Sequence, residues 1–311
     1  MLKAAARHPA VAAQHCLHIG SFDVGMTAAA LSQLAGVLSG FAFFAVIFIL
    51  TNANAVKRSP LGRAHARLDR ALLSLFCATF GLAITAIEYA ILAGEQNVGL
   101  RYGRAASEEL MADIAVSLSI FMLVAGMLVL VGPAFSRTER TVRILASVGG
   151  PPMAAYFVAE TCREVAVGIW AGRSGLVLCG HDAFYSEVQL WAHTVAPIVA
   201  FVCALGFWVS PRYLSNRTRR LLEVTADRIR SSVQVLALLV VVVVVSVGVS
   251  FDEFHPHAHI GEPGVWLAIT ATTLITLVQA FVMRFDGSSA PPLAPGGSWT
   301  RPNLRWLRLG L

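Results

Sequence analysis

Seven long apolar runs constrain this chain more than any other feature. A hydrocarbon layer about 30 Å thick needs about 20 residues of helix to cross it. Inside that layer every backbone polar group must be satisfied within the protein. The runs extend from Ala28 to Thr51, Ala71 to Gly94, Leu110 to Gly132, Val142 to Trp170, Val188 to Ser210, Val233 to Phe251 and Gly264 to Met283. They predict an all-α, polytopic membrane helical bundle with about seven transmembrane helices. Residues 1–27 read as an extracytoplasmic N-terminal tail, 28–283 as the transmembrane domain, and 284–311 as a cytoplasmic linker with a basic interfacial tail. Hydrophobic residues at 56% and charged residues at 14% are outside the range of an ordinary soluble domain.

The bases fix an orientation. If loops alternate sides, one side collects Lys57, Arg58, Arg63, Arg67 and Arg70, then Arg137, Arg140 and Arg143, then the arginines of 212–230, and finally Arg284, Arg301, Arg305 and Arg308. The other side holds Lys3, Arg7, Arg101, Arg104, Arg163 and Arg173. Cytoplasmic loops accumulate Lys and Arg, so the first side is cytoplasmic, the N-terminus is outside and the C-terminus inside. The implied location is the cell membrane. The net charge of +6 is then explained by anionic lipids at the cytoplasmic loops and calls for no nucleic acid. Trp170, Trp191, Trp208 and Trp266 fall near span ends, where amphipathic rings favour the headgroup layer.

Several spans carry local signals. Gly36 and Gly40 form a GxxxG spacing that reads as internal helix packing. Gly149, Gly150, Pro151 and Pro152 predict a kink or a break in the fourth span, with a discontinuous helix lining a site as the alternative. The sixth span is so uniformly apolar that much of it should face lipid. The basic segment before it, residues 211–232, reads as a surface amphipathic helix or an extension of that span, and with the C-terminal tail it offers a surface for a membrane or cytoplasmic protein partner.

Chemistry concentrates on the outer side. Glu88, Asp113, Glu160, Arg163, Glu164 and His193 interrupt apolar runs in the outer half, and ionisable groups at such depth are expensive enough to mark function. Glu160, Arg163 and Glu164 share one helical face, Glu160 being the deepest of the group. Arg163 neutralises one carboxylate. The other needs a donor from the helix of Glu88 or of Asp113, or holds a proton because burial disfavours the charged form. Histidines gather outside as well. His15 and His18 flank Cys16 and Leu17, and Asp252, Glu253, His255, His257 and His259 crowd the sixth loop, where His255, His257 and His259 are candidate ligands for a divalent metal. Cys77 and Cys203 read as buried thiols. Cys16, Cys179 and Cys162 lie toward the oxidising side, where one disulfide is conceivable.

The last span has no lysine for a retinal Schiff base, and neither a Walker loop nor an HExxH pair occurs. Three readings stand on the sequence: a protein that binds an ion or small ligand in an outer-half polar cavity for transport or sensing, a metal-dependent membrane enzyme, and a structural or assembly partner in a membrane complex.

Overall fold

The computed structural model describes residues 17–18, 24–57, 62–94, 102–131, 141–174, 177–178, 182–210, 213–254 and 260–285. It contains seven helices long and apolar enough to cross a membrane. These are α1 (Val24–Lys57), α2 (Gly62–Gly94), α3 (Tyr102–Val131), α4 (residues 141–174), α5 (residues 183–209), α6 (Asn216–Phe254) and α7 (Glu262–Arg284). Each contains one of the seven expected spans. The basic residues before the sixth span continue its helix, so the extension reading holds there. A two-residue antiparallel ladder, β1 (Leu17–His18) with β2 (Val177–Leu178), pairs the segment before α1 with the segment after α4.

Helix α3 is the axis of the bundle and the most buried of the seven among the described residues. It touches α2, α4, α6 and α7, while α1 lies outside against α2, and α5 lies outside against α4 and α7. Side-chain bonds fix which ends meet. Ser32 Oγ donates to the Ala86 carbonyl at 2.8 Å, the Ile260 N–H donates to Ser107 Oγ at 3.0 Å, and Arg173 donates to Glu262. At the opposite end Arg143 Nη1 reaches the Met283 carbonyl at 3.5 Å. The start of α3, α5 and α7 therefore shares one end, here the near end, with the finish of α2, α4 and α6.

The glycine signal works differently from expectation. A Cβ at Gly36 or Gly40 would meet nothing within 4 Å, so this GxxxG face is not an internal packing surface. The close approach occurs instead between α3 and α4, where a Cβ on Gly168 would stand 2.6 Å from the Gly103 Cα. Gly126 against Leu75 and Gly150 against Phe121 serve the same end in the middle and far parts of the bundle.

The fourth span does not break. Its helix runs through a π-helical turn, Leu145–Gly149, just ahead of Pro151 and Pro152. The prolines remove donors that carbonyls one turn earlier would have used, and a widened turn absorbs the mismatch without interrupting the helix. That turn lies toward the far end, away from the carboxyl groups, and so lines no part of their site. A second π-turn, Trp191–Val195, precedes Pro197 in α5 and carries His193. The outward face of α6, including Leu236, Leu239 and Val243, is exposed as expected for a lipid-facing span, while Ala237, Val241 and Val245 are buried. Cys77 is buried but Cys203 is exposed, because α5 presents that face away from its neighbours. Cys162 is a free, buried thiol against the Val265 carbonyl, which removes it from any disulfide. His255, His257 and His259, residues 1–16 and 286–311 of the tails, Cys16 among them, and Cys179 lie outside the described residues.

Candidate functional site: an acid cluster at the near end

Helices α2, α3 and α4 bring their acidic residues together within the last turns of α2 and the first turns of α3. Asp113 is the centre. It is 1% exposed, and its two carboxyl oxygens each accept a hydroxyl hydrogen bond, Oδ1 from Tyr89 of α2 and Oδ2 from Thr161 of α4. One side chain thus ties three helices by hydrogen bonds. A buried carboxyl without such partners would be costly.

One turn toward the near end on α3, buried Glu109 lies in electrostatic range of Glu164 on α4. Two ionised carboxylates close together in a buried site repel each other, which favours proton uptake by one of them. The close backbone approach at Gly103 and Gly168 sets the α3–α4 spacing at this level. Beside it, Glu108 forms an ion pair with Arg104 at 3.3 Å, one helical turn apart and largely enclosed.

Glu88 differs from all of these. It is 4% exposed, and neither of its oxygens has a hydrogen-bond partner among the described residues. Its Oε1 would lie 2.3 Å from a Cβ placed on Gly248 of α6, so any side chain there would collide with it. Glu108 and Asp113 are the acids in electrostatic range. Gly248 thus provides the room for a carboxyl inserted between α3 and α6.

Toward the α4–α5 edge the cluster becomes accessible. Glu160 Oε1 accepts from Arg163 Nε at 2.9 Å and from Arg163 Nη2 at 2.6 Å, and Arg163 Nη1 extends to the Tyr185 hydroxyl at 3.3 Å. His193 Nε2 stands 3.4 Å from Glu160 Oε2 and its ring lies 5.9 Å from that of Tyr156. The Glu160 and His193 side chains are 31% and 39% exposed, so carboxyl groups grade from a partly open edge to a closed centre. The π-turn at Trp191–Val195 contains His193 and so sets the direction in which the imidazole leaves α5.

The structure gathers Glu88, Asp113, Glu160, Arg163, Glu164 and His193 at one end. Arg163 pairs with Glu160, and Glu164 lies in electrostatic range of Glu109 on the helix of Asp113. Glu160 is deep along the bundle axis, yet it sits at the edge while Asp113 is enclosed. Sequence reasoning passed over Tyr89, Glu109 and Thr161 as site members. The four-residue spacing of Glu109 and Asp113, which puts both on one face of α3, was the available signal for Glu109. Among the described residues no three His, Cys, Asp or Glu side chains are grouped so as to hold a metal ion.

Comparison with protein-family models, with curated proteins and with solved structures finds no match to this chain.

Proposed function

We propose that this is an integral protein of the cell membrane, N-terminus outside and C-terminus in the cytoplasm, which takes protons into the near-end acid cluster for transport or sensing. Seven apolar helices support insertion in a bilayer. The excess of arginine on helix ends and in the connecting sequence at the far end supports the orientation and favours contact with anionic headgroups there.

The observation that carries the proton reading is the burial of Glu88, Glu108, Glu109 and Asp113 together in one region. Glu88, Glu108, Glu109, Asp113, Glu160 and Glu164 share one region with the guanidinium groups of Arg104 and Arg163. If every carboxyl were ionised, negative charge would greatly exceed positive charge in a low-dielectric interior. Protons are the smallest ions that can neutralise these carboxyls. The partly exposed Glu160–His193 edge provides an entry.

Infrared difference spectroscopy of the protein in lipid, titrated through neutral pH, tests this reading. A protonated-carboxyl C=O band that grows as pH falls, and that is lost or shifted in Asp113→Asn and in Glu109→Gln, is the expected result. A spectrum with no titrating carboxyl band, in protein shown to be folded by its helical circular dichroism, would remove the proton reading.

A further inference from the structure

Below the acid cluster the bundle interior does not become purely apolar. Thr272, Thr276 and Gln279 lie on the inner face of α7, spaced four and three residues apart, and are buried to 1%, 0% and 2% exposure. Thr276 satisfies itself by bonding back to the Thr272 carbonyl at 2.9 Å. The other two do not. The Thr272 hydroxyl and both polar atoms of the Gln279 amide have no hydrogen-bond partner among the described residues.

An enclosed amide with neither donor nor acceptor satisfied is rare in proteins, and such groups are ordinarily met by internal water. The position of these groups gives that water a direction. Ile260 shares a level with Ser107, so with a rise of 1.5 Å per residue Asp113 lies about 9 Å and Thr272 about 18 Å below that level, and the polar face of α7 begins about 9 Å beyond Asp113 toward the far end. Gln279 lies about 25 Å down α7 by the same measure. Four residues further on, Met283 packs with Phe121 and Leu128 of α3 and Ala154 of α4, which places this face of α7 at the junction of the three helices. The Met283 carbonyl receives Arg143 at the far end.

We propose that a hydrated seam along Thr272, Thr276 and Gln279 extends the acid cluster toward the far end, so that the protein conducts protons across the membrane. The proposal rests on the proton reading of the cluster and adds a path and an activity to it. Each water or hydroxyl in such a line accepts a proton from one neighbour and releases another to the next, so no bond is made or broken in net and no second reactant is consumed. Gln279 can both donate to and accept from water, which holds a chain in place without trapping a charge.

The test is proton flux. Purified protein is reconstituted in phosphatidylcholine–phosphatidylglycerol vesicles containing a pH-sensitive dye, and a membrane potential is imposed with potassium and valinomycin. Wild-type vesicles are expected to change internal pH faster than protein-free vesicles. Gln279→Leu and Thr272→Val, which keep shape and remove polarity, are expected to slow that rate by about tenfold, the effect of a modest added barrier. Both should retain the titrating carboxyl band, whereas Asp113→Asn should lose band and flux together. Thr272→Val exchanges one hydroxyl for a methyl group and keeps the test usable if the leucine variant does not fold. Wild-type flux in both seam variants overturns the seam and leaves the acid site standing. A titrating carboxyl band without wild-type flux also overturns the seam and makes the cluster a sensor. Absence of band and flux alike removes the seam together with the reading on which it rests.

Discussion

Asp113 and Glu88 are two carboxyls in one interior with opposite surroundings. Asp113 receives two hydroxyl donors, whereas Glu88 receives none and occupies room left by Gly248. Their amide variants should therefore behave differently. Asp113→Asn leaves one of two buried hydroxyls without its acceptor and is expected to cost about 1–3 kcal/mol. Glu88→Gln breaks no hydrogen bond and is expected to hold or raise stability. Thermal unfolding of both in one detergent at neutral pH checks this, and equal losses would show that Glu88 has a partner of its own. Both carboxyls were visible in the sequence as charges within apolar runs, a signal that needs no knowledge of the fold. Tyr89 and Thr161 were not visible as their partners, because a hydroxyl in an apolar run is cheap and common. Which one reaches Asp113 depends on how α2 and α4 are rotated about their axes, and no local pattern states that.

At the scale of the element, span positions were legible because length and apolarity alone define them, and all seven appear. Helix contacts were less legible. GxxxG at Gly36 and Gly40 satisfies a sequence rule yet faces no neighbour, while Gly103 and Gly168, far apart in sequence, make the closest helix approach at the site. Gly168→Ala is accordingly expected to destabilise by about 1–3 kcal/mol through overpacking. Gly36→Ala is expected to change stability by no more than about 0.5 kcal/mol, as exposed positions usually do. Reversal of that order in unfolding measurements would place the critical interface on α1. The ladder offers a prediction of a different kind. Leu17 pairs with Leu178 and His18 with Val177, and in the sequence Cys16 precedes Leu17 and Cys179 follows Leu178. A Cys16–Cys179 disulfide is the expected consequence on an oxidising face. Alkylation of the denatured, unreduced protein followed by mass spectrometry should modify Cys77, Cys162 and Cys203 at once and the other two only after reduction. Immediate modification of all of them would contradict the bridge.

For the whole molecule, charge is divided between the two ends: carboxyl groups gather at the near end and arginines on helix ends and in the connecting sequence at the far end. With the near end outside, a fluorescent protein fused after Leu311 should mature in the cytoplasm, and a phosphatase that is active only outside should be silent there. The opposite pattern would invert the molecule and place the acid cluster toward the cytoplasm. The exposed Arg173–Glu262 pair adds little to this architecture, since solvent screens it. What holds the near end is the set of bonds made by Asp113 and the α3–α4 approach at Gly103 and Gly168.

The central claim is that these carboxyl groups hold exchangeable protons, and counting protons tests it most directly. Potentiometric titration of the solubilised wild type beside a variant carrying Glu88→Gln, Glu109→Gln and Asp113→Asn, across the range around neutral pH, gives the difference in protons bound by the cluster. The account predicts that the wild type takes up more protons than the variant as pH falls through that range. Superimposable titration curves from two folded proteins would contradict it.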